Sequence, residues 1–219
     1  MKGEVRNGEG IVLRSRQGRE GSKVLTLFSV EKGKIHLILP RPVMAKWGSG
    51  LSAPFALIRF TASFFSDYAV LSQYEGWLLF DMMKLSYEEM CAWYYLIELA
   101  DQLFPLGEKD ETAYHILLQA GKAEEKRNGM VVSFIASVKL LGAAGFDAAS
   151  PEEAKKFHLS QEGLSLLTAF RQYRWGEPLG RTIPRSLFQE TAAYVDAFIR
   201  NVCDVEMNTQ GAYGRLLEE

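Results

Sequence analysis

The hydrophobic period of this chain changes once, from two residues to about 3.6, near Lys84. Such a change calls for a sheet followed by helices, not for strands and helices in alternation. Ahead of it, residues 9–16, 22–30 and 34–39 read as strands. In the last of these Ile35, Leu37 and Leu39 alternate with Lys34, His36 and Ile38. Two glycines mark a turn over residues 17–21, and Glu31-Lys32-Gly33 is a short hairpin connection in which Gly33 supplies the unusual φ. Pro40 and Pro42 stop the third strand, and residues 40–53 form a long loop. Residues 55–65 and 68–77 supply two more strands around Ser66-Asp67.

Beyond Lys84, Ser86 and Glu89 have the spacing of a capping box, and apolar residues recur at Met90, Trp93, Tyr94, Ile97 and Leu103. Helices are predicted over 87–104, 111–123 (capped by Asp110), 129–144, from Ser160 onward, and 185–201 after Pro184. Residues 145–158 are the least regular of this half. The predicted fold class is α+β: an N-terminal five-stranded antiparallel OB-fold barrel over residues 1–80, then an all-α helical domain over 81–219. An SH3-like barrel is the structural rival.

Charge divides along the same line. Residues 1–60 hold eleven Lys or Arg against four acids, and Asp67 and Glu75 leave +5 over the first eighty residues. The whole chain carries -2, so the remainder carries -7. A basic half beside an acidic one fits either a polyanion partner or an acidic neighbouring domain. Hydrophobic residues at 47% and charged residues at 24% exclude general disorder. Two cysteines, Cys91 and Cys203, are too few for a disulfide framework or a four-cysteine zinc site, and suit a reducing compartment. No apolar run reaches 18 residues, and Met1 to Gly10 carries charges in place of a signal core, so a cytoplasmic protein is expected.

No phosphate loop, His-Glu-x-x-His or Gly-x-Ser-x-Gly motif occurs, and His36, His115 and His158 stand in separate segments. The expectation is a non-enzyme with no cofactor and no metal. The cations carry more information. Arg14, Arg16 and Arg19 cluster at the end of strand one, Lys23 opens strand two, Lys32 and Lys34 occupy the next hairpin, and Arg41 and Lys46 flank the long loop. OB barrels hold single strands on the second and third strands and the neighbouring loops, by cationic grooves and aromatic stacking. These eight residues are the predicted DNA-binding set. Trp47 either stacks on a base or caps the barrel.

Several segments resemble one family. Glu9-Gly10-Ile11-Val12-Leu13-Arg14, Lys23 to Phe28 and Gly33-Lys34 resemble the opening of the bacterial recombination mediator family RecO. Gly50 to Phe55, Leu71-Ser72-Gln73-Tyr74-Glu75 and Tyr94 to Pro105 are similar to its next segments, and Lys139 to Phe146 is a weaker match. The resemblance implies an OB-fold with a helical domain and binding and annealing of single-stranded DNA, with duplex DNA as a further form. It also implies a nucleoid association and two partners, RecR and the C-terminal tail of single-stranded-DNA-binding protein (SSB), on the route to loading recombinase in DNA repair. For the acidic SSB tail, Arg171 and Arg174 are the candidate cations; Tyr173 and Trp175 beside them either join the dock or pack a helix end.

The chain departs from the family at three places. Residues 147–158 lack the zinc-binding cysteines, the basic segment after strand three is reduced to Arg41 and Lys46, and Asp204-Val205-Glu206 stands where the family is basic. The alternative function is a protein-interaction adaptor whose OB-fold has lost DNA binding.

Overall fold

The computed structural model describes residues 3–46, 48, 50–66, 68–124, 128–180, 182–211 and 213. It divides into two compact units, Met1–Lys84 with Phe104–Lys122, and Leu85–Leu103 with Ala123–Glu219. The strands are β1 (Glu4–Gln17), β2 (Lys23–Ser29), β3 (Gly33–Leu39), β4 (Ala56–Phe64) and β5 (Ala69–Leu78). The helices are α1 (Arg41–Met44), α2 (Tyr87–Leu103), α3 (Glu111–Glu124), α4 (Gly129–Ala143), α5 (Pro151–Lys156), α6 (Gln161–Gln172) and α7 (Arg185–Val202).

In the first unit the strands run in the order β1-β2-β3-β5-β4, and β4 returns to β1. The sheet is mixed, where the sequence predicted a wholly antiparallel one. β3 and β5 run parallel through Leu37↔Ala69 and Ile38↔Val70, and the other pairings are antiparallel. Turn residues specify only consecutive pairs. The β3–β5 pair is set by the long connection through β4, which returns the chain in the direction of β3. Inside the sheet, Val12, Leu25, Leu27, Leu37, Ile58 and Phe60 form the core. This is the alternation read from the sequence, with every second residue inward.

β1 begins at Glu4, well ahead of the predicted start, because Glu4 to Ile11 pair with Phe64 to Leu57 of β4. Its first four residues, Glu4 to Asn7, are exposed and mostly polar, so no apolar alternation announced them. Arg41–Met44 is a single helical turn inside the predicted loop. Trp47 lies outside the described residues.

The outer side of β2 is partly roofed. Phe28 points away from the core yet is fully buried, with Phe104 edge-on at 5.4 Å. The Gly107 N–H donates to the Lys34 carbonyl at 2.8 Å, so the chain after Phe104 lies along β3. α3 follows, started by Asp110, whose carboxylate accepts the Ala113 N–H at 2.8 Å. A Cβ at Gly121 would lie 2.7 Å from Leu79 Cδ1, so the missing side chain permits close approach of the helix.

One buried polar link ties α3 to the sheet. The Tyr114 hydroxyl donates to Glu9 at 2.6 Å, and Arg59 Nε donates to the same carboxylate at 2.7 Å. Burial pushes the Glu9 carboxyl up, but these two donors and the Arg59 charge outweigh it and hold the group below its ordinary value. Tyr114→Phe removes one donor from this carboxylate. It is expected to cost about 1–2 kcal/mol in urea unfolding, and Arg59 limits the loss by remaining in place.

In the second unit the helix starts carry the caps that the sequence spacing called for. Ser86 and Glu89 bond reciprocally at 3.2 Å each, and Ser160 Oγ accepts from Gly163 N–H at 3.0 Å. α5 lies within the stretch read as irregular. Pro151 at its first position and the acids Glu152 and Glu153 in its first turn specify a start, but six residues are too few to show a period. The core centres on Phe134, which is fully buried with Phe170, Phe188 and Tyr213 rings 5.0–5.8 Å away.

Glu98 of α2 holds the segment after α7. Its two oxygens accept from Asn208 N–H and Nδ2 and from Thr209 N–H and Oγ1, at 2.7–2.8 Å. Burial raises its pKa, but the four hydrogen bonds together outweigh that and lower it below the ordinary value of 4.5. A carboxyl with a depressed folded pKa contributes stability above its unfolded pKa and loses it as pH falls through the folded value. Glu98→Ala is therefore expected to cost about 1–2 kcal/mol at neutral pH for this part-exposed group, seen as a lower melting temperature, and to cost less at an acid pH below the folded pKa. A pair of thermal melts at the two pH values reads the difference.

Candidate nucleic-acid interface

The register of the first three strands sets the outer face of the sheet. Arg14 stands opposite Thr26, and Thr26 opposite His36. One step along, Arg16 stands opposite Val24, Val24 opposite Ile38, and Ile38 beside Val70 of β5. A register shift between Val12 and Arg14 ends the inward run and turns Arg14 and Arg16 outward together. Val24 and Thr26 are buried, Arg14 and Arg16 are exposed, and His36 and Ile38 are half-buried. The result is a strip of the outer face with buried small residues of β2 along its middle, arginines on one rim and an imidazole on the other. His36 Nδ1 is 3.4 Å from the Thr26 hydroxyl. The two rims are two strand spacings apart, about 10 Å.

The turn after β1 adds charge at the same end. Arg19 is exposed on the single helical turn Arg19–Gly21, where Glu20 adopts φ 54°. A Cβ on Gly21 would lie 3.7 Å from Arg41 Cδ, so the Arg41 side chain runs beside this turn. Lys23 opens β2 opposite Gln17 and donates from Nζ to Ser52 Oγ at 3.2 Å. The structure thus gathers Arg14, Arg16, Arg19, Lys23 and Arg41 at one end of the sheet. Among the described residues no carboxylate forms an ion pair with Arg16, Arg19 or Arg41. Lys46 is exposed further along, its carbonyl accepting from the Tyr74 hydroxyl of β5.

Lys32 and Lys34 do not join this group. They sit at the other end of β2, about 20 Å from Lys23 at strand rise. Lys34 is only 9% exposed under the chain that follows Phe104, and Lys32 acts on Glu4.

Sequence reasoning passed over Tyr68. Extending the Leu37↔Ala69 register by one residue sets Tyr68 beside His36, on the same outer face. Its ring is 41% exposed and stacks on Phe65 at 4.8 Å, across the β4–β5 turn. The available signal was a pair of aromatics flanking a two-residue turn.

In the helical unit the cations assigned to the SSB tail are placed differently from each other. Arg171 ends α6 and forms a 2.6 Å ion pair with Asp147, while Arg174 is exposed. Tyr173 and Trp175 meet each other edge-on at 5.6 Å, and both pack against the helical core. Among the described residues no three His, Cys, Asp or Glu gather at metal-binding distance, and no helix is long and apolar enough to cross a membrane.

Comparison with known proteins finds relatives that share one description. The chain is 34% identical over 113 residues to DNA repair protein RecO of Pelotomaculum thermopropionicum, covering 50% of this chain and 43% of that one. It is 27% identical over 140 residues to DNA repair protein RecO of Desulforamulus reducens, and 28% identical over 142 residues to that of Desulforudis audaxviator. These two matches each cover 63% of this chain, and 54% and 56% of the relatives. No family model matches the chain. The chain spans about half the length of the curated relatives it matches. By its sequence, then, this is a RecO-like protein.

Proposed function

We propose that the chain is a DNA repair and recombination mediator that binds and anneals single-stranded DNA through the outer face of β1, β2 and β3. In this reading the sheet is an OB-fold with strand order β1-β2-β3-β5-β4, and its ligand lies across β2 and β3 as OB-folds hold theirs. The observation that carries it is the double row Arg14–Thr26–His36 and Arg16–Val24–Ile38, continued by Arg19 and Arg41 at the turn. Arginines grip phosphates along the rim, and the Tyr68 face is open to a base. Recombinase loading with RecR, and capture of the SSB tail near Arg174, belong to the same proposal and rest on the likeness to RecO.

A salt series of labelled oligonucleotide binding to the full chain tests it. Each phosphate neutralised on a single strand contributes about -0.7 to the slope of log K against log salt, so five neutralised phosphates give about -3.5. The adaptor reading draws on the separation of Lys32 and Lys34 from the other cations. It predicts no binding even at low salt.

A further inference from the structure

We propose that the edge of β1 over residues 3–7 pairs antiparallel with the same edge of a second copy of this chain, about a two-fold axis at Val5. β4 lies along one side of this stretch, with Val5 opposite Ser63 and Asn7 opposite Thr61. Among the described residues no strand lies along the other side, because β2 joins β1 only from Gly10 onward. Glu4, Val5, Arg6 and Asn7 are exposed, Val5 by 65%.

Glu9 gives the direction of the open backbone groups. Its carbonyl accepts the Val30 N–H at 3.1 Å and its N–H donates to Glu31 at 3.3 Å, so both point away from β4. The β1–β4 register is unbroken from Glu9 back to Glu4, and in a strand such groups alternate every second residue. The N–H and C=O of Asn7 and Val5 therefore point to the open side as well.

The side chains select the occupant. Strand edges are commonly protected by charge that repels a second edge. Glu4 and Arg6 are instead complementary to their own reverse. A two-fold axis at Val5 sets Val5 against Val5 as the hydrogen-bonded pair, and each Glu4 against the other copy's Arg6 as the closer, non-hydrogen-bonded pair. Within one chain Glu4 and Arg6 already share a face, 2.6 Å apart. An axis at Arg6 would oppose two arginines. An axis at Asn7 would require Glu9, whose groups are engaged by Val30 and Glu31. An isologous pair of this kind closes after two copies. The edge is short, so the dimer is weak and depends on concentration.

Sedimentation of the full chain from about 10 μM to about 1 mM, the range for an interface of less than standard size, tests the pairing. The wild type is expected to shift from monomer toward dimer over that range. Val5→Pro removes an N–H that the β4 ladder does not use, so it should melt as the wild type does and stay monomeric. Arg6→Glu should weaken dimerisation about tenfold or more, and the exchange Glu4→Arg with Arg6→Glu should restore it. A wild type monomeric throughout overturns the proposal, as does a Val5→Pro chain that dimerises normally. An exchange variant that melts normally but stays monomeric overturns it as well.

Discussion

Replacing Arg16, Arg19 and Arg41 together by glutamate is expected to weaken oligonucleotide binding by between about a hundredfold and a thousandfold at low salt. A charge-assisted hydrogen bond is worth about 1.5 kcal/mol, so two such bonds removed give somewhat over a hundredfold and three slightly more than the upper figure. The same variant should flatten the salt slope by about 2, at about 0.7 for each phosphate no longer neutralised. Its fold should be unaffected, because all three side chains are exposed and Arg16 lies where β1 has outrun β4. Reversing Lys32 alone should change binding far less, since it lies at the other end of β2. Fluorescence anisotropy with a labelled oligonucleotide at several salt concentrations separates the two variants. Equal losses from both would mean that the cations act as a diffuse cloud and not as one site.

Gly33→Ala is expected to destabilise the first unit by more than about 3 kcal/mol. Two costs add at this position. The backbone is at φ +64°, where an L side chain costs about 1 kcal/mol. The larger cost is steric, because a Cβ would lie 1.7 Å from the Glu108 carbonyl oxygen. That atom is backbone, in a segment already fixed to β3 by the Gly107 to Lys34 hydrogen bond, so no side chain can swing away. Accommodation requires lifting the chain after Phe104 off the sheet and uncovering Phe28, which is fully buried beneath it. Urea unfolding of Gly33→Ala beside Gly107→Ala checks the point. Gly107 also has positive φ, at +79°, but has open space around its Cβ position, and should show the conformational cost alone. Similar losses in both would contradict the close packing at Glu108.

The sequence was most legible where one residue reports on its own neighbours. Ser86 with Glu89, and Ser160 ahead of α6, named helix starts because a cap is a local bond. The Ile35, Leu37 and Leu39 alternation named β3 because burial there follows the strand period. What stayed hidden depends on pairings between distant residues. The parallel β3–β5 pair, and the polar start of β1 lying on β4, have no local signature. Phe28 is an outward residue made buried by Phe104, which no strand pattern encodes.

For the candidate site, the clustering of Arg14, Arg16 and Arg19 was visible as spacing along one strand and its turn. The addition of Arg41 was not, because it depends on β3 ending beside the β1–β2 turn. Lys32 and Lys34 read as neighbours of that cluster in sequence. They are remote from it because a hairpin places its turn at the far end of both strands. Tyr68 went unread because its place beside His36 follows from the parallel pairing.

If one face of the sheet receives the nucleic acid, amide chemical-shift mapping of the isotope-labelled full chain with a short oligothymidylate reads it most directly. The expected result is a set of shifts confined to Arg14, Arg16, Arg19, Val24, Thr26, His36, Ile38, Arg41 and Tyr68, with Asn7, Thr61 and Gln73 on the far side of the sheet unmoved. Shifts centred on Asn7, Thr61 and Gln73, or none at low salt, would contradict it.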